Sequence, residues 1–426
     1  MSFAFPSLSS ARLTLKSHVS ERASLIMKEP EGLLVHKWLC PGGFYAQCWD
    51  WDAVFCGVGL LPFGGSAYLA GSMKCFFTLT DSESGAVPGC ITPNGASATL
   101  AHAKPVLIWG AFLAAEAEGD FDQFYSFAGK MRALLFFWRR ERCVNDVYVW
   151  HDTMECGADD LPFAAVPSRH TAAWTDADLR RTSMPDIHTF LVLERRAMAG
   201  FCRAWATGAG AAHAEALLEE ALEHEAAAVE IAKALNVKLW WWDDSHTTGN
   251  AAVPRRGYYV GYDAVDGVRL VNRTYQAAWP LWAGLAAGVE EREAALVELL
   301  QPDLRASFGI RSTSSSDPRF TLGDFIVPYS NWRGPVWINV NTVLAYTLAS
   351  CGRKDEALKL ASELTLMLAG DITKNNAMHE CYHPDDGSPL SSESKGFLSW
   401  NVLVASLLDN LEADRDPFAA VTRWSS

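Results

Sequence analysis

The 426-residue sequence predicts an all-α fold, an (α/α)6 barrel, from three observations. Apolar residues recur at helical spacing along most of the chain, and the resulting helices come in pairs joined by loops rich in Gly, Pro, Asp and aromatic residues. One helix of a pair is apolar all round and its neighbour is amphipathic, and this alternation repeats about eleven or twelve times. No strong strand pattern competes with it. Two concentric rings of helices, a toroid, fit such an alternation.

The helix over 211–235 is the clearest amphipathic example. Leu218, Leu222 and Val229 share one face and glutamates occupy the other, as expected of a surface helix. Its more apolar partner, over 184–207, is predicted to be more buried. One or two helices are predicted before residue 60, and the later ones are predicted over 67–80, 105–119, 121–142, 184–207, 211–235, 270–286, 290–301, 335–352, 354–371 and 396–411.

The chain is predicted to be one domain, over residues 1–426. No linker of low complexity divides it, and the Ser-rich segment 311–320 is too short to act as one. Segment 256–265 is at most a short hairpin arm.

The composition excludes several classes of partner. Hydrophobic residues make up 49% of the chain and it has 17 tryptophans, enough for a large core and an aromatic-lined cleft. The net charge of −14, without basic runs, argues against a nucleic acid or an anionic membrane. A neutral small molecule is the expected partner.

The cysteines and the absence of long apolar stretches favour the cytoplasm. The ten cysteines show no CxxC pair and are expected to be mostly reduced. No apolar stretch approaches the roughly 18 residues that a membrane span needs. Residues 1–25 lack the apolar region of a secretory signal, although their Ser and Arg content also fits an organelle transit peptide.

The segment FYAQCWDWDAVF interleaves aromatic rings with carboxylates. Trp49 and Trp51 alternate with Asp50 and Asp52. Sugars are bound by this combination, because an aromatic plane covers the C–H face of the ring while carboxylates accept hydrogen bonds from its hydroxyls. The alternative is a helix start in which an aspartate caps the helix and the tryptophans enter the core.

The segment ECGADDLP holds three acids, Glu155, Asp159 and Asp160, and its Gly157 and Pro162 favour a loop. A glycosidase needs one carboxyl held protonated for the leaving oxygen and one ionised to act on water. This segment can supply the first of them. The alternative is a solvated turn.

Two later loops hold further candidates. In VPYSNWRGPVWINVN, Trp332 and Arg333 precede an apolar helix that Pro335 would start whether or not they bind a ligand. In MHECYHPDDGSPL, Glu380 precedes a Pro-Asp-Asp-Gly turn, where a lone glutamate is usually structural.

The sequence HECYH matches the zinc motif HExxH literally, yet no metal site is predicted. The motif requires His379 and His383 one turn apart on a helix. Pro384 follows directly and disfavours a continuous helix through both.

Taken in chain order, these segments resemble glycoside hydrolase family 63 and the trehalase group of inverting α-glycosidases. WDAVF (51–55) resembles their Trp-Asp-x-x-Phe motif and ECGADD their Glu-Ser-Gly-Trp-Asp motif. NWRGPVWINVN, HECYHPDDG and GFLSW (396–400) follow in the family's order. The resemblance covers most of the chain and implies hydrolysis of an α-glycoside without a cofactor or metal.

The resemblance also implies roles for individual residues. Asp159 takes the position of the general acid and Glu380 that of the general base, while Asp52 would bind hydroxyls deep in the donor pocket. The remaining contacts to the sugar are assigned to Trp49, Trp51, Trp332, Arg333 and Trp400. The chain departs from the family in having Cys156 for serine and Ala158 where an aromatic is common, which leaves the leaving-group specificity open.

The compact length resembles that of members that hydrolyse glucosylglycerate or mannosylglycerate. A glycerate carboxylate needs a cation, although each arginine in question could equally be an ordinary surface residue. The candidates are Arg169, Arg255, Arg256 and Arg311.

Two other function classes stay open. A sugar 2-epimerase also uses an (α/α)6 barrel and would place a histidine pair against the sugar. A carbohydrate-binding protein would keep the tryptophans without needing an Asp159/Glu380 pair. The histidines available to an epimerase are His188, His246, His379 and His383, and only the last two lie in a segment resembling a site.

Overall fold

The computed structural model describes residues 7–96, 102–159, 179–243, 256–323 and 330–423. Within these residues α-helices predominate, in line with the all-α prediction. Two of the helices are single turns, Thr153–Cys156 and Ala419–Thr422. The others are Leu8–Ile26, Asp50–Leu60, Ser66–Leu79, Leu107–Glu118, Ala128–Glu141, Pro185–Gly208, Ala211–Ala234, Ala278–Trp282, Val289–Leu299, Ile338–Ser350, Lys354–Asn375 and Val404–Glu412.

Six of the described helices form a closed inner ring. Each contacts the next and the last contacts the first. Their residues are apolar and mostly buried, and in the first of them every residue is buried. In ring order the inner helices are Asp50–Leu60, Leu107–Glu118, Pro185–Gly208, Ala278–Trp282, Ile338–Ser350 and Val404–Glu412.

The remaining long helices alternate with the inner ones along the chain and pack outside them. Helix Ala211–Ala234 lies along Pro185–Gly208, and Lys354–Asn375 lies along Ile338–Ser350. Helix Leu8–Ile26 packs against Lys354–Asn375 and so belongs to the outer layer. The predicted (α/α)6 barrel is confirmed.

The buried face of helix Ala211–Ala234 differs from the predicted one. Leu218, Leu222 and Val229 are 47%, 60% and 63% exposed. Two sets of positions in this helix have apolar residues at helical spacing, and the set that is buried is not the predicted one. The buried positions are Leu217, Ala221, His224, Ala228 and Ile231.

The helix predicted over 270–286 is wrong in extent. A strand ends at Leu270, a 3-10 turn covers Tyr275–Ala277 and the α-helix is restricted to Ala278–Trp282. Gly284, with a φ of +66°, lies in the left-handed region that commonly ends helices.

The described strands are short, and all their pairings are antiparallel. Segment 256–265 contains two of them rather than one hairpin arm. The pairs are Met27–Lys28 with Trp38–Leu39, Cys48–Trp49 with Cys90–Thr92, Cys90–Thr92 with Gly95–Ala96, Cys143–Val144 with Val147–Tyr148, Thr182–Ser183 with Gly261–Asp263, Gly261–Asp263 with Val268–Leu270, Trp240–Asp243 with Arg256–Tyr259, and Arg305–Ala306 with Gly309–Ile310.

All ten cysteines lie within described residues and none forms a disulfide, as expected of reduced thiols. Across the described ranges, every helix is too short or too polar to cross a bilayer.

Candidate active site

A cavity of about 180 Å³ lies where the segments preceding the inner helices meet. Each of these segments enters the barrel from the same end, so residues far apart in sequence reach one space. Seven of the eight residues predicted for the site line this cavity, namely Trp49, Trp51, Asp52, Asp159, Trp332, Glu380 and Trp400.

Arg333 is not among the described residues that line the cavity. Its backbone N–H donates to Oδ1 of Asn331 at 2.7 Å, and its carbonyl accepts from the N–H of Thr321 at 3.0 Å. These bonds fix the backbone of the loop beside Trp332. A contact of the Arg333 side chain with a sugar stays a prediction.

Tryptophan rings form one wall of the cavity. The ring centroid of Trp51 lies 5.9 Å from that of Trp332 and 5.5 Å from that of Trp400. Trp337 stacks on Trp332 with centroids 3.8 Å apart and holds that ring in place. The wall is therefore rigid and suited to the C–H face of a sugar ring.

Asp50 and Asp52, on the first turn of helix Asp50–Leu60, have different roles. The Asp50 carboxylate accepts from the N–H of Trp51 at 2.6 Å and is the structural residue. Asp52 lines the cavity and accepts a hydrogen bond from Oγ of Ser399 at 2.7 Å. Burial raises the pKa of Asp52 to about 7.

Glu380 is buried in the cavity wall opposite the start of that helix. The hydroxyl of Tyr45 donates to its two carboxylate oxygens, at 3.1 and 3.0 Å. Its backbone N–H donates to Oγ of Ser394 at 3.0 Å. Burial, followed by the negative charges of Asp52 and Asp159, raises the pKa of Glu380 well above the usual range.

A buried network next to Glu380 holds its backbone. Asp371 bonds to Nδ1 of His379 at 2.8 Å and accepts from the hydroxyl of Tyr382 at 2.8 Å. The carbonyl of His379 accepts from Nδ2 of Asn401 at 2.7 Å. These contacts fix the residues on both sides of the glutamate.

The acidic segment begins as a single helical turn. Asp152 caps this turn by accepting from the N–H of Glu155 at 2.8 Å. Glu155 is fully buried and paired with Arg142 at 2.8 Å, so it is a structural residue. Asp159 lines the cavity, and Asp160 lies outside the described residues.

Gly157 ends this turn with a φ of +74°, and a Cβ here would lie 2.5 Å from Cε of Lys104 and 2.9 Å from Cζ2 of Trp51. We expect Gly157→Ala to lower the free energy of unfolding by roughly 1–3 kcal/mol, the cost of a non-glycine residue in the left-handed region. Urea denaturation measures this change. Gly129→Ala, at a helical site with open space, is the matched control and should be neutral or stabilising.

The HECYH segment does not form the helix that a zinc motif requires, since residues 379–383 are not helical. We therefore expect turnover to survive exhaustive chelation, because two carboxyls and water suffice for inverting hydrolysis. Assays before and after dialysis against a chelator measure this. Loss of activity on chelation, with recovery when zinc is added, would contradict the prediction that hydrolysis needs no metal.

One group of described side chains could approach a metal, but it lies away from the cavity. Cys202, Glu220 and His224 come together between helices Pro185–Gly208 and Ala211–Ala234. Glu220 is already held by Arg132, at 2.6 Å, so the group is a structural ion pair.

The described histidines do not form a pair in the cavity of the kind that an epimerase needs. No histidine is among the described residues of the cavity wall. His188 is buried, with Nδ1 bonded to the carbonyl of Met184 at 3.0 Å. Nδ1 of His383 accepts from the N–H of Asp385 at 3.2 Å, and His246 lies outside the described residues.

Two of the four arginines proposed for a glycerate carboxylate are described in the structure, and both lie outside the cavity. Arg256 is paired with Glu298, and Arg311 donates to Asp385 at 2.7 Å in a separate surface groove. Neither lines the cavity. Arg169 and Arg255 lie outside the described residues.

Seven of the described residues that line the cavity were not predicted for the site, and three of them contribute most to its geometry. Tyr45 lies in the same segment as Trp49, so its neighbourhood was a signal. Trp337 had a similar signal beside Trp332. Lys104 had none, since it is an isolated lysine in an apolar stretch.

An (α/α)6 barrel with carboxyl groups in a tryptophan-lined cavity is the arrangement that the resemblance to glycoside hydrolases predicts. Residues 45–398 match the family model of the mannosylglycerate hydrolase MGH1-like glycoside hydrolase domain. The chain belongs to this family, and the predicted membership of glycoside hydrolase family 63 is confirmed.

Individual relatives match over part of their length. The chain is 30% identical over 199 residues to the mannosylglycerate hydrolase of Rubrobacter radiotolerans, covering 46% of this chain and 39% of that protein. It is 25% identical over 155 residues to a probable mannosyl-oligosaccharide glucosidase of Schizosaccharomyces pombe, covering 34% and 18%. These alignments thus span less than half of either relative.

Solved structures share the fold over nearly the whole chain. The mannosylglycerate hydrolase of Thermus thermophilus in complex with glucose has a TM-score of 0.63 at 19% identity, covering 95% of this chain and all of that one. The neutral trehalase of Saccharomyces cerevisiae has a TM-score of 0.62 at 14% identity, covering 90% and 76%.

Proposed function

We propose that the protein is an inverting α-glycosidase that releases mannose or glucose from a small α-glycoside, with a glycerate conjugate as the first candidate substrate. The observation that carries the proposal is that Asp159 and Glu380 line one cavity together with Asp52 and the tryptophan wall. A carbohydrate-binding protein would need the tryptophan wall but not the pair of carboxyl groups of Asp159 and Glu380.

In this mechanism the two carboxyls act on opposite faces of the sugar. Asp159 protonates the glycosidic oxygen as the bond breaks, while Glu380 removes a proton from the attacking water. Inverting enzymes hold the two groups roughly 6.5–9.5 Å apart to leave room for that water. Tyr45, which donates to Glu380, would orient the carboxylate of Glu380 toward the attacking water.

The electrostatics of the cavity favour the retention of a proton among its carboxyl groups. Three carboxyl groups in one buried space oppose simultaneous ionisation, so at least one proton is retained among them near neutral pH. Burial raises the pKa of both Asp52 and Glu380, and the negative charges of Asp52 and Asp159 raise the pKa of Glu380 further. A site with both a protonated and an ionised carboxyl is what acid and base catalysis requires.

The substrate class rests on the family and on the relatives. The matched family and the Rubrobacter relative are named for mannosylglycerate hydrolysis. The cavity is smaller than the roughly 300–1,000 Å³ typical of sites for larger ligands, in keeping with a single sugar ring. Indole N–H groups of Trp49 and Trp400, which have no hydrogen-bond partner among the described residues, could donate to its hydroxyls.

We also propose one catalytic domain over residues 1–426 and a location in the cytoplasm. The single domain is supported by contacts of helix Leu8–Ile26 with helices Lys354–Asn375 and Val404–Glu412, which join the N-terminal and C-terminal parts of the described chain. The ten unpaired cysteines support a reducing compartment.

A panel of small α-glycosides tests the proposed activity. The purified protein is incubated with α-mannosylglycerate, α-glucosylglycerate, trehalose and α-1,2-mannobiose, and free hexose is measured. The variant carrying both Asp159→Asn and Glu380→Gln is the blank. We expect hexose release from at least one compound, and release from none by a folded protein would contradict the proposal.

A further inference from the structure

Lys104 is the one cationic side chain among the described residues that line the cavity. Its side chain is 4% exposed and lies just before helix Leu107–Glu118. Burying an ammonium group is costly unless it is paired and hydrogen-bonded. Its partners therefore indicate why it is placed here.

On one side, Lys104 is bound to the start of helix Asp50–Leu60. Its backbone N–H donates to Oδ2 of Asp50 at 2.7 Å, and Nζ lies 3.2 Å from Oδ1 of the same residue. The ammonium also lies 4.9 Å from the ring centroid of Trp51. These contacts fix Nζ relative to the helix that carries Asp52.

On the other side, Lys104 contacts the segment that carries Asp159. Nζ lies 3.4 Å from the carbonyl oxygen of Met154. The backbone of Gly157 lies so close to Cε of Lys104 that any Cβ would overlap it. Asp159 follows two residues later, so the lysine supports the turn that precedes the carboxyl.

We propose that Lys104 is a positioning residue for the general acid. Its ammonium joins the helix that carries Asp52 to the segment that carries Asp159, and so fixes the acid relative to the sugar. An ammonium has three N–H donors, and Asp50 and the Met154 carbonyl each take one. This inference rests on the proposed function.

Leaving-group dependence separates this role from a merely structural one. Hydrolysis of the phenyl α-mannoside needs a proton on the departing oxygen, whereas the 2,4-dinitrophenyl α-mannoside needs little help. We expect Lys104→Met to lower kcat/KM for the first by about 10²-fold, since small displacements of a reacting group have effects of this size. The loss on the second should be at least ~10-fold smaller, and the matching α-glucosides are assayed in parallel.

A double-variant cycle checks that Lys104 acts through Asp159. In an Asp159→Asn background, the further change Lys104→Met should lower kcat/KM for the phenyl substrate by less than ~3-fold, because no acid is left to position. Equal losses on both substrates, or full additivity in the cycle, would overturn the inference. If Asp159→Asn itself shows no leaving-group dependence, the proposed role of Asp159 fails, which is a separate result.

Lys104→Met alone leaves the buried Asp50 carboxylate without its cation, and this could unfold the protein. A second variant avoids that outcome. The double variant Asp50→Asn with Lys104→Met removes both buried charges together. The amide oxygen of asparagine can replace one carboxylate oxygen, so one of the two backbone N–H groups, of Trp51 or of residue 104, loses its acceptor. Thermal unfolding verifies its fold. It should show the same selective loss on the phenyl substrate, and a wild-type ratio of the two rates would overturn the inference.

Discussion

Replacing Asp159 by Asn should lower kcat/KM for glycosides with poor leaving groups by about 10²- to 10⁴-fold, the usual contribution of a general acid. Asparagine keeps the size of the side chain but has no proton to give to the departing oxygen. Activated aryl glycosides should lose far less, since their leaving groups depart without protonation. Steady-state rates on a series of aryl α-glycosides measure the difference.

The neighbouring acid supplies the control for this experiment. Asp160→Asn removes one negative charge from the same segment and, on the proposed assignment, should leave the leaving-group dependence unchanged. A loss confined to Asp160→Asn would move the acid by one position. Equal losses on all substrates in Asp159→Asn would remove Asp159 from the role of acid.

Replacing Glu380 by Gln should slow every substrate by a similar factor, about 10²- to 10⁴-fold. Each reaction needs an activated water whatever its leaving group, and an amide cannot accept the proton. The same aryl series measures this result. A strong dependence on the leaving group in Glu380→Gln would mean that Glu380 is the acid. Glu393→Gln, at an exposed position nearby, is the matched control and should retain activity.

Thermal unfolding verifies that Glu380→Gln remains folded and tests the electrostatics. Because the folded-state pKa of Glu380 is raised, its ionisation disfavours folding once the pH exceeds the unfolded-state value. We therefore expect the variant to have a higher Tm than wild type at pH 8. The advantage should shrink as the pH falls and vanish near pH 4, where the folded and unfolded states both carry the proton. A lower Tm than wild type at pH 8 would contradict this.

Helical periodicity predicted the ring of helices well because inner and outer helices differ in composition. It failed where one helix offers two apolar faces. Leu218 and Leu222 fit the pattern as well as Leu217 and Ala221, and only the surface of the inner helix selects between them. The overlong helix over 270–286 failed for a local reason, since Leu270 pairs in a strand with residues outside the window.

Short motifs pointed to seven of the residues that line the cavity, and each motif places only its own residues. What the motifs could not give are contacts between distant segments. The hydroxyl of Tyr45 reaches Glu380 across 335 positions, and Lys104 reaches Asp50 across 54. Arg311 shows that charge alone does not place a residue in the site. It has the right charge for a glycerate carboxylate but donates to Asp385 outside the cavity.

In the proposed mechanism, Glu380 activates water on the face opposite the group that Asp159 protonates. Proton NMR during the first minutes of turnover tests it most directly, because the anomer released is observed before mutarotation mixes the two forms. With Glu380 as the base, an α-glycoside should release the β-sugar first. Release of the α-sugar first would mean retention of configuration and would contradict the role of Glu380 as the base.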